Sequence, residues 1–117
     1  ADNSPRFDIT TANGKVRLNV LTEAALEYEV FCRDLLGERK IAQFSGGASD
    51  EESRLTYGGK DISTGEYTVE HTPFTFGGEA VYTVRARIKG GDIEVGSAEK
   101  SCYPPSTAPV SPYLFRR

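Results

Sequence analysis

The 117 residues suffice to bury one sizeable hydrophobic core but hardly two, so the chain reads as one domain with short tails. Hydrophobic residues make up 38% of it, and six Phe with six Tyr supply bulk, which lets the domain fold without a cofactor and excludes disorder outside the ends. A net charge of −3, with both signs interspersed, excludes the clustered basic face that nucleic acid or an anionic membrane demands, and no apolar run is long enough for membrane insertion.

Taken in chain order, apolar residues recur at every second position in short runs bounded by Gly, Asn, Asp or Ser, the pattern of half-buried strands. Arg6 to Thr10 presents Phe7 and Ile9 on one face. Asn13-Gly14 then supplies the positive-φ positions of a tight turn before Val16, Leu18 and Val20 alternate. These two runs are either a hairpin or strands of opposite sheets. Leu26, Tyr28, Val30 and Cys32 form an inward face with Glu27, Glu29 and Arg33 outward, and Lys40 to Phe44 returns alongside.

Ser45 to Glu52 lacks periodicity and apolar content and reads as a surface loop. Arg54 to Tyr57 and Tyr67 to His71 are shorter strands, separated by Gly58-Gly59-Lys60-Asp61. Val81 to Ile88 is a strong strand with Tyr82, Val84, Ala86 and Ile88 inward. Lys89-Gly90-Gly91-Asp92 turns the chain into Ile93 to Val95, which continues toward Cys102. Pro104, Pro105, Pro109 and Pro112 donate nothing to a ladder, so residues 1–103 are assigned to a β-domain and 104–117 to a proline-rich tail or linker.

About seven short strands with turns between them predict an all-β fold, an antiparallel β-sandwich. The run from Phe76 to Arg87 resembles the E–F corner and F strand of fibronectin type III domains, a family of immunoglobulin-like architecture. The resemblance covers mainly the last third of the chain. It implies that Tyr82 plays a structural part, its hydroxyl bonding upstream backbone as a tyrosine corner. The family's usual tryptophan is missing, and Leu18 would stand in its place.

Cys32 and Cys102 are the only cysteines, and each sits in a strand-like stretch, so a single disulfide is expected. Such a bond implies an oxidising, extracellular or periplasmic compartment. In the strand order of the resembled family, however, the two would lie ~9.6 Å apart, beyond disulfide reach. Either Cys102 curls back past the sheet or the topology is that of another sandwich.

Chemistry is sparse. His71 is the single histidine and reads as a strand-end residue; no Gly-x-Ser-x-Gly elbow accompanies it, and two distant cysteines with one histidine make no zinc set. The chain is therefore not expected to be an enzyme, and no cofactor or metal is expected. Asp50-Glu51-Glu52, with Asp61, has oxygen ligands for calcium but not the EF-hand spacing, and reads as a solvated loop. Tyr113 to Arg117 forms an aromatic, basic end that is either a partner-binding peptide or a cut linker.

The expectation is a noncatalytic, secreted or cell-surface recognition module that binds a protein or carbohydrate partner through loops at the sandwich ends. Its candidate contact loops are Leu35–Lys40, Ser45–Ser53 with Asp50, Glu51 and Glu52, and Lys89, Gly90, Gly91 and Asp92. The alternative is a secreted inhibitor or effector that inserts a loop into an enzyme cleft.

Overall fold

A computed structural model describes residues 4–47, 56–57, 60–61 and 64–104. Its strands are β1 (Arg6–Ala12), β2 (Lys15–Glu23), β3 (Leu26–Asp34), β4 (Gly37–Ser45), β5 (Thr56–Tyr57), β6 (Lys60–Asp61), β7 (Thr64–His71), β8 (Ala80–Ile88) and β9 (Glu94–Cys102). Seven of them build an antiparallel β-sandwich: a three-stranded sheet in the order β1-β2-β7 faces a four-stranded sheet in the order β4-β3-β8-β9, while β5 and β6 form a separate ribbon.

The alternation read from the sequence is what joins the layers. Val16, Leu18 and Val20 of β2 are buried, as are Tyr28, Val30 and Cys32 of β3 and Tyr82, Val84 and Ala86 of β8. Register keeps these faces together, with Tyr28 opposite Ala86, Val30 opposite Val84 and Cys32 opposite Tyr82. Covering each Val or Leu side chain contributes about 1.5–3 kcal/mol. Leu18 is completely buried.

Phe7 to Thr10 and Arg17 to Val20 are a hairpin of one sheet, because Asn13 and Gly14 both adopt positive φ, 53° and 77°, and turn the chain directly back. Ile88 departs from the expected inward set and is exposed. It lies opposite Leu26, the first residue of β3, where the sheet ends and the facing layer no longer covers it. The two lateral openings of the sandwich are closed differently. On one side the Phe44 ring of β4 stacks on Tyr67 of β7 with centroids 4.4 Å apart; on the other Lys100 of β9 sits 5.5 Å above the Phe7 ring of β1.

The expected disulfide is absent. Cys32 of β3 and Cys102 of β9 are free thiols, because β8 lies between their strands and its Tyr82 stands opposite Cys32 while Ala80 stands opposite Cys102. Two strand spacings, ~9.6 Å, exceed the reach of a sulfur bridge. As free thiols, Cys32 and Cys102 do not call for an oxidising compartment. Among the described residues no helix is long and apolar enough to cross a membrane.

Candidate recognition surface

Antiparallel β2, β3 and β8 place the connections at two opposite ends of the sandwich. One end carries the Asn13-Gly14 turn, the β3–β4 hairpin and the β7–β8 connection; the other carries the β2–β3 turn, Gly46-Gly47 and the β8–β9 turn.

At the first end a fully covered carboxylate organises the loops. Asp34 Oδ1 accepts from Arg39 Nη1 at 2.8 Å and from the Leu36 amide at 2.9 Å. Its Oδ2 accepts from Arg39 Nη2 at 3.0 Å and from the Phe74 amide at 2.9 Å. The Leu35 amide also donates to the Phe74 carbonyl at 3.1 Å. One residue thus ties the β3–β4 hairpin to the β7–β8 connection. The Arg39 guanidinium holds the Asp34 carboxyl well below the usual carboxylate range against the opposing effect of burial, and the Phe74 and Leu36 amides add to it.

Behind this carboxylate the network continues inward. Arg39 Nη2 lies 3.5 Å from His71 Nε2, and His71 Nδ1 lies 2.8 Å from the Tyr82 hydroxyl. Arg39 has only donors, so Nε2 must be the acceptor and Nδ1 carries the imidazole proton toward Tyr82. Beside Tyr82, the Cys32 thiol reaches Asp34 Oδ2 at 3.7 Å. Arg39 thus links the Asp34 carboxylate to His71 and, through it, to Tyr82. Burial pushes the Cys32 thiol up to about 11 and the Tyr82 phenol higher still, so neither ionises at neutral pH. Tyr82 is completely buried, and its hydroxyl meets the His71 imidazole, where a tyrosine corner would bond upstream backbone.

What this scaffold displays is apolar. Leu35 is 64% exposed, Leu36 65%, Phe74 42% and Phe76 67%. The Phe74 and Phe76 rings meet edge to face at 4.6 Å, and Phe76 is held at φ 49°, a left-handed conformation uncommon for an aromatic residue. Gly77 follows at φ 86°. Tyr103, 70% exposed, stands at the same end with its hydroxyl 3.5 Å from Glu79 Oε2. Single exposed hydrophobics are ordinary; several large ones at one end of a domain mark a contact surface.

The opposite end also exposes apolar side chains, Ile88 and Ile93, around a turn tied to its neighbours. The Lys89 amide donates to the Ala25 carbonyl, the Gly90 amide to Glu27 Oε1 at 3.0 Å, and Lys89 Nζ to the Gly46 carbonyl at 3.4 Å. Lys89 and Gly90 are thereby committed to holding their own turn, with Gly91 bonded to Ile88 and only Asp92 of the four pointing free of that framework. Near this end a groove of about 620 Å³ opens among Arg6, Leu21, Glu23, Leu26, Tyr28 and Val95, half polar in lining and without a convergent set of charges. Asp50, Glu51 and Glu52, and the segment 105–117 with its aromatic, basic end, lie outside the described residues.

The structure therefore brings Leu35 and Leu36 of one predicted loop together with Phe74 and Phe76, which sequence reasoning did not assign to binding. The signal was present as Phe-Thr-Phe between Pro73 and Gly77, two aromatics at strand spacing in a segment with no strand partner. Among the described residues no group of three His, Cys, Asp or Glu side chains is placed to hold a metal ion.

No protein-family model matches this chain, and no curated protein matches it in sequence. Among solved structures it is similar to the chicken interferon gamma receptor alpha chain, with a TM-score of 0.57 at 13% identity over 88% of this chain. The chain spans about half, 51%, of that receptor chain. At this identity the likeness concerns the fold: a two-sheet sandwich of fibronectin-like, immunoglobulin-like type.

Proposed function

We propose that the domain is a noncatalytic recognition module that engages a protein partner through the end formed by the β3–β4 hairpin and the β7–β8 connection. The carrying observation is the apolar set Leu35, Leu36, Phe74 and Phe76 mounted on the buried Asp34 carboxylate. Large apolar and aromatic side chains on a pre-ordered frame are what the desolvated centre of a protein interface uses, because little conformational freedom remains to be lost on binding. A carbohydrate partner would call for exposed amide and carboxylate groups beside the rings; here the carboxylate is occupied within the fold. The likeness to a receptor chain supports a noncatalytic role and a secreted or cell-surface setting.

The test uses the immobilised domain in three forms and the soluble proteins of the organism that makes it. A partner retained by the wild type and by a variant with Lys89–Asp92 replaced by Gly/Ser, but lost from Leu36→Asp/Phe76→Asp, supports the assignment. Equal retention by all three, or loss only from the Gly/Ser variant, overturns it. Photo-crosslinkers at positions 36 and 76 then report the partner directly.

A further inference from the structure

We propose that His71 makes this recognition end acid-sensitive: taking up a proton at Nε2, the ring separates Arg39 from the loop-holding carboxylate and unlatches the β3–β4 hairpin from the β7–β8 connection. The inference deepens the reading of this end as the binding surface and rests on it.

The argument is one of donors and acceptors. Neutral His71 offers a lone pair to Arg39 Nη2 at 3.5 Å and a proton to Tyr82 at 2.8 Å. An imidazolium has two N–H donors and no acceptor, so protonation turns the Arg39 contact into two positive donors facing each other. The ring has little freedom to turn aside, being held edge-on to Tyr82 with centroids 5.8 Å apart and planes at 82°. Arg39 is also the cation that neutralises Asp34, and the same carboxylate receives the Leu36 and Phe74 amides. Displacing Arg39 therefore acts on two of the bonds that hold the displayed loops, those beside the direct Leu35–Phe74 bond.

Around the ring, from β4 comes the Arg39 cation and from β3 the Asp34 anion with the neutral Cys32 thiol; β8 contributes neutral Tyr82, and β2 the uncharged Val16 opposite His71. Arg17 and Glu70 point to the outer face, where they pair at 3.4 Å with more than half of each side chain exposed. Asp34 is the one group that favours the imidazolium, but its oxygens are already engaged by Arg39, Leu36, Phe74 and Cys32. Burial, then Arg39, keep the closed-state imidazole below its ordinary 6.5.

The sign follows. A group depressed in the closed state stabilises that state fully above 6.5, and closure weakens as pH falls below it, by at most about tenfold per pH unit for one proton. Asp34, also depressed, begins to matter only below 3.8, so the two effects occupy separate windows.

Because the chain has a single histidine, its Hε1 resonance reports this site without ambiguity. The experiment follows amide hydrogen exchange by NMR in the isolated full chain between about pH 7.5 and about pH 5, normalised to the chemical exchange rate. Protection at Leu36 and Phe74 should fall severalfold as the pH drops below about 6.5, by at most about tenfold per pH unit, while the Val84 amide in the core keeps its protection. In His71→Gln, whose carbonyl can accept from Arg39 at every pH, the fall should vanish. Unchanged protection at Leu36 and Phe74 while His71 titrates in the wild type would overturn the proposal even if the Gln variant does not fold, as would an equal fall in a folded His71→Gln. No partner enters this measurement, so its failure leaves the recognition reading standing, and failure of the Leu36→Asp/Phe76→Asp test leaves the latch standing.

Discussion

Asp34 is where local sequence and tertiary contact meet. Its side chain is fully covered, yet it is charged, and a buried charge is tolerated only when its hydrogen-bonding capacity is filled. Arg39, the Leu36 and Phe74 amides and the Cys32 thiol fill it. Asp34→Ala would strand an amide on each side of the end and leave Arg39 beside His71 without its anion. The expected loss is on the order of 2–4 kcal/mol in urea unfolding, with the normalised exchange of the Leu36 and Phe74 amides rising at neutral pH. A loss below about 0.5 kcal/mol would mean that the loops are held by something else. Nothing in the sequence flagged this residue, because an Asp at a hairpin reads as turn chemistry and its second function depends on a connection 40 residues away.

At the scale of elements, the strands were legible because they obey a period of two, and β2, β3 and β8 bury the residues that pattern selected. Their limits were less legible. β4 begins at Gly37 rather than Lys40 and β7 at Thr64 rather than Tyr67, since ladder bonds continue into polar residues that alternation cannot detect. The cysteines misled for a related reason: an alternating pattern shows which face a residue occupies, not which strand is its neighbour. Aromatic Phe74 and Phe76 were passed over because they belong to no strand.

Two glycines of β4 and its exit separate conformation from contact. Gly37 has φ 96° with open space where a Cβ would stand. At Gly46 a Cβ would collide with the Glu23 carbonyl and the Tyr28 ring, and the Gly46 amide donates to the Leu26 carbonyl at 2.8 Å. Gly37→Ala should cost only the left-handed strain, about 1–2 kcal/mol. Gly46→Ala should cost more, about 2–3 kcal/mol or above, because backbone rather than a flexible side chain must yield. Chemical denaturation of the two variants reads the difference, and equal costs would contradict the close approach.

For the molecule as a whole, both sheets have open edges that could template another chain. The four-stranded sheet shields its own: pairing skips a residue at Ile41 in β4 and at Val95 in β9, bulges that twist an edge away from flat pairing. The lateral contacts differ in kind, stacked rings at Phe44–Tyr67 against a cation over Phe7 with Asp8 3.9 Å from the same ammonium. The proposed contact surface at the β3–β4 end uses neither of these lateral edges.

The course of the chain has a mechanical corollary. Arg6 opens β1 at the end bearing the β8–β9 turn, and Cys102 closes β9 at the end bearing Leu35 and Phe74. Tension applied between these two points runs along the strands and must shear the ladder bonds of β1 against β2 together, instead of unzipping them singly. Pulled in an optical trap through handles at positions 6 and 102, the domain should rupture abruptly at a force well above that needed with handles at 6 and 21, whose residues sit side by side at one end and peel β1 from its neighbour.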